Sequence, residues 1–274
     1  MTVRAGPAAG PVLAAVLAAA AGRARGAPPL VVGVAGAQGS GKSTAAAAVA
    51  AGLAERGLRA AVLSLDDLYL DRAARRRLAV AVHPLLATRG PPGTHDVALG
   101  EAVLGALAAG APARLPRFDK AADAPRPRAA WERVAGPVDV VVFEGWCVGA
   151  RPEPPAALAA PVNTLEAAED PEGAWRRFVN DALGGPYQRL FARVELLAFL
   201  AAPAWDVVPA WRLQPELRAG ARGPGVLDAA GVARFVQHFE RITRHMLREV
   251  PARADVVVRL DRARRVAGVE RRAG

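Results

Sequence analysis

The fold of this chain is decided by the stretch Gly36-Ala37-Gln38-Gly39-Ser40-Gly41-Lys42-Ser43-Thr44. It fits the pattern G-x-x-x-x-G-K-[ST] at every fixed position. The apolar run Leu30–Ala35 before it predicts a buried strand, and the Ala-rich run Lys42–Arg56 after it predicts a helix. A glycine turn between a strand and a helix gathers backbone N–H groups around one anion, and the positive end of the helix dipole strengthens the attraction. The stretch therefore predicts a binding loop for nucleotide phosphates.

The residue types in this loop suit a nucleotide that carries a metal ion. The Lys42 ammonium is expected to reach the β- and γ-phosphates, and the Ser43 hydroxyl is expected to bind Mg²⁺. Lys42 and Lys120 are the only lysines among 36 Lys and Arg residues, so both are candidates for sites that need a compact ammonium. The alternative to a phosphate-binding loop is a glycine turn that is followed by a lysine by chance. The residues expected to bind the phosphates of ATP are Gly36, Gln38, Gly39, Ser40, Gly41, Lys42, Ser43 and Thr44.

Acidic residues follow two further predicted strands. The apolar run Val138–Phe143 ends at Glu144, which we assign to Mg²⁺ through a water molecule, against the alternative of an acid that faces solvent. The run Arg59–Leu65 ends at Asp66, and the ligands of a parallel sheet gather at the carboxyl ends of its strands. Asp66 is thus predicted to take the proton of an attacking hydroxyl, whereas Asp67 could cap a helix.

Strand and helix patterns alternate along the chain and predict parallel β-α-β units in one sheet. We expect one three-layer α/β domain over 1–274 with a mainly parallel sheet, a helical lead-in over 1–28 and a mobile helical lid at about 202–225. Three long segments rich in Pro, Gly and Arg are expected to be functional or disordered, namely Thr88–Asp96, Arg114–Trp131 and Ala202–Gly225. The other predicted elements are helices at Val97–Ala109, Pro171–Arg193 (broken at Gly184-Gly185-Pro186) and Leu227–Glu249, and strands at Leu196–Leu200 and Ala254–Leu260.

The formal net charge of +10 allows two interpretations. One is a nucleic-acid partner. The other, which we favour, is a compositional bias toward arginine combined with an anionic substrate, because the aromatic residues do not interleave with the arginines as stacking platforms would. The run Arg75–Arg77 and the tail Arg262–Arg272 are expected to be solvated faces. No nucleic-acid partner is predicted, and the sequence makes no prediction of the oligomeric state.

The N-terminal run Val12–Ala21, which follows Arg4, imitates a secretory signal. It is mostly alanine, which is weakly hydrophobic and strongly helix-forming, so an amphipathic helix leading into the first strand is the favoured interpretation. No run is long and apolar enough to predict a membrane span. The single cysteine, Cys147, excludes an intrachain disulfide and fits a reducing compartment, and the use of ATP favours the cytoplasm.

Three classes of protein use such a phosphate loop. A GTPase is expected to carry N-K-x-D for guanine, but the only other lysine lies in Phe118-Asp119-Lys120-Ala121, so this motif is absent. A mechanical or DNA-handling ATPase does not need a pair of acids after the second strand. A kinase for a small molecule needs a base, an acceptor pocket and a lid, and the chain offers candidates for all three.

Six segments, in matching order between about Leu30 and Leu260, carry a resemblance to a known family. The chain resembles the plant and fungal type of D-glycerate 3-kinase, and through it uridine kinase, phosphoribulokinase and pantothenate kinase. Leu68 stands where a phenylalanine is usual, and Cys147 stands where an aromatic residue is more usual. The segments are Gly36–Thr44, SLDDLY at Ser64–Tyr69, RGPPGTHD at Arg89–Asp96, FDK at Phe118–Lys120, EGW at Glu144–Trp146 and WRLQPE at Trp211–Glu216.

The resemblance implies transfer of the γ-phosphoryl group of ATP to D-glycerate, which gives 3-phosphoglycerate. In the wider group the acid that acts beside the transferred group corresponds to Asp66. Related kinases close an arginine over the phosphates, and this role falls on Arg212, with Arg218 and Arg222 as rivals. A small hydroxy acid needs a cation for its carboxylate and polar partners for its hydroxyls. The candidates for contact with the acceptor are Asp67, Tyr69, Arg89, Thr94, His95 and Lys120.

Several of these assignments have alternatives. Lys120 is the favoured partner of the acceptor carboxylate, but it could be a lysine on a loop without a functional role. His95 could tie down its loop through Asp96, and Arg176 and Arg177 could contact the acceptor from the long helix. The acceptor could be a nucleoside, a sugar acid or pantothenate. A nucleotide-dependent regulatory protein with little transfer activity is a further alternative.

Overall fold

The computed structural model describes residues 8–24, 26–219 and 227–272, and for 215–219 it describes the backbone alone. Its strands are β1 Leu30–Gly36, β2 Ala60–Ser64, β3 Ala113–Leu115, β4 Phe118–Asp119, β5 Ala124–Pro125, β6 Glu132–Val134, β7 Val140–Gly145, β8 Leu196–Ala201, β9 Val256–Leu260 and β10 Val266–Arg271. Its α-helices are α1 Ala9–Ala21, α2 Lys42–Ala54, α3 Arg72–Ala81, α4 Val97–Ala108, α5 Thr164–Glu169, α6 Ala174–Ala182, α7 Gln188–Phe191, α8 Val208–Ala219 and α9 Ala229–Glu249.

The central sheet has the strand order β10-β9-β8-β1-β7-β2. Every neighbouring pair is parallel except β9 and β10, which are antiparallel. The chain leaves β1 to build β2 and β7 on one side and later adds β8 and β9 on the other, so the winding direction reverses at β1. Ligands of such sheets bind at the carboxyl ends of the strands beside this reversal. The phosphate loop follows β1 directly, so the topology places it at this point.

Two apolar cores cover the two faces of the sheet, because alternate residues of a strand point to opposite faces. Val32 and Val34 of β1 belong to a core shared with α1, α2 and α8. Val31 and Ala35 belong to a second core, shared with α4, α6 and the C-terminal half of α9. The predicted three-layer α/β fold with a mainly parallel sheet is therefore confirmed.

The N-terminal helix packs against the rest of the fold. Val12 and Val16 of α1 are both 0% exposed. A Cβ atom at Gly52 of α2 would lie 2.4 Å from a methyl carbon of Leu13, so the two helices are in close contact. In the part of the chain that the structure describes, no helix is both long enough and apolar enough to span a membrane.

The arginine-rich tail differs from the predicted solvated face. Val266–Arg271 forms β10, whose backbone pairs with β9 at the edge of the sheet, although most of its side chains stay exposed. The tail thus adds a strand that the sequence analysis missed, because its arginines masked the strand-forming residues Val266 and Val269. The turn between the two strands contains Arg264 at φ 64°, a left-handed conformation that is uncommon outside glycine.

The long helical stretch is interrupted by a kink at the predicted glycines. α6 continues through a π-helical turn, Leu183–Tyr187, directly into α7. Gly185 has φ −99° and ψ −105°, values outside the helical region, which create the kink. The sequence analysis also missed α3, which begins after Asp71, whose carboxylate accepts a hydrogen bond from the Ala74 N–H at 2.6 Å.

Part of the segment predicted as a lid lies within the described residues. Val208–Ala219 forms α8, and Trp211 in it is 2% exposed. The side chain of Arg218 and the whole of Arg222 lie outside the described residues. The choice between these arginines and Arg212 therefore stays a prediction, as does the mobility of the lid.

Candidate active site

The phosphate loop connects β1 to the N-terminus of α2. Gly39 and Gly41 have φ angles of 74° and 90°, a left-handed conformation that glycine adopts without strain. Gly41 precedes the first residue of α2, and no side chain caps this helix, so its first N–H groups can bind an anion. The buried hydroxyl of Ser40 has no partner among the described residues. The loop therefore fits a polyphosphate that would accept hydrogen bonds from these groups.

Lys42 stands at the start of α2 and is 9% exposed. Its ammonium donates a hydrogen bond to the carbonyl oxygen of Ala37 at 3.1 Å. Burial lowers the pKa of Lys42, and the carboxylates of Glu144 and Asp66 offset only part of this effect. An additional anion beside the ammonium would stabilise its charged form, which suits a phosphate-binding lysine.

Glu144 lies in β7 beside the phosphate loop, in register with Val34 of β1 and Ser64 of β2. The hydroxyl of Ser43 donates to its Oε1 at 3.0 Å, and the hydroxyl of Ser64 donates to the same oxygen at 2.7 Å. Burial raises the pKa of Glu144, while Lys42 and the two hydroxyls act in the opposite direction. The sequence analysis did not single out Ser64 for this contact.

The Ser43 and Glu144 oxygens are of the type that Mg²⁺ prefers. Over the described ranges 8–24, 26–219 and 227–272, no group of three or more His, Cys, Asp or Glu side chains could hold a metal by itself. Mg²⁺ is usually bound through one or two protein oxygens together with substrate phosphates and water. The residues present therefore fit a metal ion that arrives with the nucleotide.

Asp66 follows β2 in a short 3₁₀ turn, Leu65–Leu68, and its side chain is 29% exposed. The Lys120 ammonium donates to one carboxylate oxygen at 2.6 Å, and the Tyr69 hydroxyl donates to the other at 2.7 Å. Burial alone would raise the pKa of Asp66, but the charge and hydrogen bond of Lys120 and the hydrogen bond of Tyr69 outweigh it, so the pKa lies well below its usual range. Asp66 is thus an ionised acceptor at neutral pH.

One cleft of about 390 Å³ joins the phosphate loop to these groups. Its lining includes Gln38, Gly39 and Gly41–Thr44 of the loop, together with Asp66 and Glu144, whereas Gly36 and Ser40 do not line it. Of the residues predicted to bind the acceptor, three lie in this lining, namely Tyr69, Arg89 and Lys120. Arg89 also donates to a carboxylate oxygen of Asp123 at 2.7 Å, which anchors its loop to the β4–β5 hairpin.

Thr94 and Asp67 do not line the cleft, which corrects their assignment to the acceptor. Thr94 is 0% exposed, and its hydroxyl accepts from the Gly90 N–H at 2.9 Å and donates to the Pro91 carbonyl at 2.7 Å. Asp67 accepts from the Phe118 N–H at 2.8 Å and from Arg117 at 3.3 Å, so it caps no helix either. Both residues hold backbone in place instead, and Asp67 anchors the strand that leads to Lys120.

His95 is also outside the cleft lining and is 5% exposed. The suggested contact with Asp96 is wrong, because the Asp96 carboxylate caps α4 by accepting from the Leu99 N–H at 2.9 Å. His95 Nδ1 instead lies 2.5 Å from the hydroxyl of Tyr187. Burial lowers the pKa of His95 to about 4.

Two further arginines line the cleft. The guanidinium carbon of Arg212 in α8 is 5.5 Å from the centre of the Phe235 ring, and the closure of Arg212 over the phosphates stays a prediction. Arg264 also lines it, at 5.8 Å from the centre of the Trp211 ring, and donates to the Gly39 carbonyl at 3.2 Å. The sequence analysis missed Arg264, because nothing in an arginine-rich tail distinguishes one arginine from the next.

The alternative that Arg176 or Arg177 contacts the acceptor does not match the geometry. Arg176 is 2% exposed, forms an ion pair with Asp170 at 3.0 Å and donates to the Leu158 carbonyl. Arg177 donates to the Glu172 carbonyl at 2.7 Å. Neither lines the cleft, and both bind parts of their own helical layer.

Comparison with known proteins identifies both the phosphate loop and a longer match. A family model described as methylmalonyl Co-A mutase-associated GTPase MeaB matches residues 5–68, which contain the loop and the strands on either side of it. An uncharacterized kinase of Schizosaccharomyces pombe, mug58, is 33% identical over 221 residues, which cover 77% of this chain and 78% of that protein.

Two relatives are D-glycerate 3-kinases. The chloroplastic enzyme of Arabidopsis thaliana is 30% identical over 222 residues, which cover 77% of this chain, but the chain spans only 46% of that protein. The solved structure of D-glycerate 3-kinase from Cryptococcus neoformans superposes with a TM-score of 0.77 at 27% identity, and the match covers 96% of this chain and 97% of that one.

A phosphate loop at the reversal of a parallel sheet, an ionised acid facing it across one cleft, and kinases among the relatives define the class: the chain is an ATP-dependent phosphotransferase with the P-loop kinase fold. Within this class it belongs to the family of P-loop kinases that includes the D-glycerate 3-kinases.

Proposed function

We propose that this protein transfers the γ-phosphoryl group of ATP to the 3-hydroxyl of D-glycerate, with Mg²⁺ bound to the nucleotide. The observation that carries the proposal is the position of Asp66. Its carboxylate lines the same cleft as Lys42 and Ser43 and is held by Lys120 and Tyr69. The similarity to two D-glycerate 3-kinases supports the choice of acceptor.

The acceptor would lie in the part of the cleft lined by Asp66, Lys120 and Arg89. Lys120 is 57% exposed although its ammonium contacts Asp66, so it retains room to contact a carboxylate of the acceptor. Arg89 lines the same region and offers a planar guanidinium, which suits a carboxylate geometrically. Tyr69 also lines the cleft, whose volume of about 390 Å³ suits a small acceptor.

In the proposed step, the acceptor hydroxyl oxygen bonds to the γ-phosphorus while the bond from this phosphorus to the oxygen bridging to the β-phosphate breaks. Asp66 accepts the hydroxyl proton. Because its pKa is low, Asp66 acts mainly by orienting the hydroxyl and receives the proton late, once bonding to phosphorus has made it acidic. Lys42 and Arg212 neutralise the charge of the transferred group.

Mg²⁺ bound with the nucleotide would neutralise charge on the β- and γ-phosphate oxygens. The Ser43 hydroxyl is the proposed direct ligand, and Glu144 is the proposed partner of a coordinated water. The contact between Ser43 and Glu144 keeps both oxygens on the same side of the cleft.

A panel of acceptors tests the proposal. Purified protein with ATP and Mg²⁺ is offered D-glycerate, L-glycerate, a nucleoside, a sugar acid and pantothenate, and ADP release is followed by a coupled assay. We expect the highest kcat/KM with D-glycerate, and ³¹P and ¹H NMR of the product should show the phosphate on the 3-oxygen. A different preferred acceptor would refute the substrate assignment, and ATP binding without any acceptor-stimulated ADP release would favour a regulatory protein.

The nucleotide and the location in the cell belong to the same proposal. The family model that matches residues 5–68 describes a GTPase, so the panel is repeated with GTP in place of ATP, which we expect to support a much lower rate. We propose a cytoplasmic location, whereas the name of the Arabidopsis relative assigns that protein to the chloroplast. Cell fractionation followed by immunodetection tests this.

A further inference from the structure

Both tyrosines of the chain, Tyr69 and Tyr187, belong to one connected group of side chains that ends at Asp66. Tyr69 lines the cleft, but Tyr187 does not and is only 1% exposed. The proposed reaction gives no role to Tyr187, nor to the kink in the helical stretch that carries it.

The kink determines where the Tyr187 hydroxyl lies. Tyr187 is the last residue of the π-helical turn that Gly185 interrupts. Its hydroxyl accepts a hydrogen bond from the Gly93 N–H at 3.0 Å and lies 2.5 Å from His95 Nδ1. Gly93 has φ 96°, and a Cβ there would be 2.6 Å from the Phe178 ring, so the loop can pass this point only as glycine. One hydroxyl therefore binds the 89–96 loop at two places.

The hydrogen bonds of Tyr187 favour one of the two neutral tautomers of His95. A tyrosine hydroxyl has one hydrogen to donate, and its oxygen already accepts from Gly93. If His95 Nδ1 accepts that hydrogen, the buried hydroxyl satisfies both its donor and its acceptor capacity. His95 is then neutral with its proton on Nε2, which has no partner among the described residues, whereas the other neutral tautomer would leave the Tyr187 hydroxyl hydrogen without an acceptor as well. Burial, which lowers its pKa to about 4, favours the same neutral form.

His95 in turn holds Tyr69 through both backbone and ring. The two residues face each other in an antiparallel bridge, flanked by a hydrogen bond from the Leu70 N–H to the Thr94 carbonyl at 2.9 Å and one from the Asp96 N–H to the Leu68 carbonyl at 2.7 Å. Their ring centres are 4.8 Å apart at an angle of 33°. The Tyr69 hydroxyl then donates to Asp66 at 2.7 Å.

We propose that Tyr187 is a positioning residue for phosphoryl transfer: through His95 it fixes Tyr69, and through Tyr69 it fixes the carboxylate of Asp66. This proposal depends on the role of Asp66 proposed above. It assigns a function to the Gly184-Gly185-Pro186 kink, which is to aim a hydroxyl from the helical layer at the loop that supports the acceptor end.

A double-mutant cycle tests whether Tyr187 acts through Tyr69. Tyr187→Phe removes only the hydroxyl, and we expect kcat to fall about tenfold while the KM for ATP stays within about twofold. Tyr69→Phe should lower kcat by at least as much. In the Tyr69→Phe background, Tyr187→Phe should have little further effect, because its path to Asp66 is already broken. Multiplicative losses in the double variant would overturn the proposal, since they would show independent action.

Phe191→Leu provides a matched control for packing. The Phe191 ring packs edge-on against Tyr187, with centres 5.9 Å apart, but it has no hydrogen bond to the loop. This variant should lower the unfolding midpoint in urea at least as much as Tyr187→Phe does, with kcat nearly unchanged. A parallel loss of kcat and stability in both variants would mean that Tyr187 serves packing alone, and would overturn the proposal.

A spectroscopic readout is independent of turnover. In protein with ¹³C-labelled tyrosine rings, the two tyrosines give two sets of signals. Tyr187→Phe leaves only the Tyr69 set, which we expect to shift in the same direction as in Asp66→Asn, because both changes disturb the same hydrogen bond. An unshifted Tyr69 set would overturn the proposal. The kinetic cycle is run with whichever acceptor of the panel turns over, so failure of D-glycerate as the substrate is a separate result.

Discussion

The phosphate end and the acceptor end of the cleft are built in different ways. The phosphate end is one continuous stretch, Gly36–Thr44, whose backbone N–H groups and helix terminus suit a phosphate. The acceptor end combines side chains from separate segments, including Asp66, Arg89 and Lys120, which are held in place by other side chains. A site formed by backbone groups requires only one local sequence motif. A site formed by side chains from several segments requires the tertiary structure that brings those segments together. A substitution at the phosphate end should therefore affect mainly the residue that is changed. A substitution at the acceptor end should also displace the side chains that are held by the changed residue.

Lys42→Ala should have the largest effect on turnover. It removes the only ammonium of the phosphate loop, and we expect kcat to fall about a thousandfold or more, because the charge of the transferred group loses its nearest cation. The unfolding midpoint should stay close to that of the wild type, since within the described ranges the ammonium donates a single hydrogen bond, to the Ala37 carbonyl. Steady-state kinetics and urea unfolding measure the two quantities. Unchanged turnover would remove Lys42 from the site, and Lys42→Arg tests whether a guanidinium can replace it.

Asp66→Asn should lower kcat about a hundredfold and change the Kd for ATP far less. The amide keeps the size of the side chain but cannot accept a proton. ATP binding measured by calorimetry, together with kcat from the coupled assay, separates the two effects. Asp67→Asn is the comparison, because Asp67 lies next in the chain but outside the cleft, and its effect on kcat should be smaller. A larger effect on ATP binding than on kcat would move Asp66 to the phosphate end.

Acid should destabilise the protein before most carboxylates titrate. Burial lowers the pKa of both His95 and His238 to about 4, against about 6.5 in an unfolded chain. The unfolded state therefore binds more protons between these values, so the free energy of unfolding falls as the pH drops from 6.5 to 4, by roughly 3 kcal/mol per histidine. Urea unfolding at several pH values measures the slope. His238→Phe should roughly halve it, and a flat profile above pH 4 would show that neither histidine is held neutral.

Lys120→Met should change the pH dependence of the reaction. Lys120 is a main reason for the low pKa of Asp66, so without it this pKa rises and the acidic limb of kcat/KM moves to higher pH. At neutral pH we expect about a tenfold loss of kcat/KM for the acceptor, with the KM for ATP nearly unchanged. A pH profile of both variants checks the direction. A loss confined to the KM for ATP would contradict the division of the cleft into two ends.

The sequence predicts the fold around the phosphate loop well because its signals are local. The glycine pattern, the flanking strand and helix, and Glu144 after an apolar strand are all visible without a tertiary structure, and the sheet follows from the alternation of strands and helices. The position of Asp66 in the same cleft followed from the rule that parallel strands end at one edge.

The acceptor end was predicted less well because proximity along the chain does not reveal which way a side chain points. Thr94 and His95 lie in Arg89–Asp96, one of the segments that carry the family resemblance, yet the first closes a turn and the second binds Tyr187. Asp67 is adjacent to Asp66 but turns toward the β4 strand. Tyr187 and Arg264 had no signal at all, because their partners are distant in sequence and contact them only after folding.

The contact between Arg264 and the Gly39 carbonyl joins two parts of the chain that are synthesised at very different times. A ribosome releases the phosphate loop, and the strands that flank it, long before it reaches the codon for Arg264. The loop can then fold, but Arg264 in the β9–β10 turn is not yet synthesised. Its hydrogen bond to the Gly39 carbonyl can form only after the chain has grown by another 225 residues. A nascent chain therefore acquires its complete nucleotide site only with the edge of the sheet.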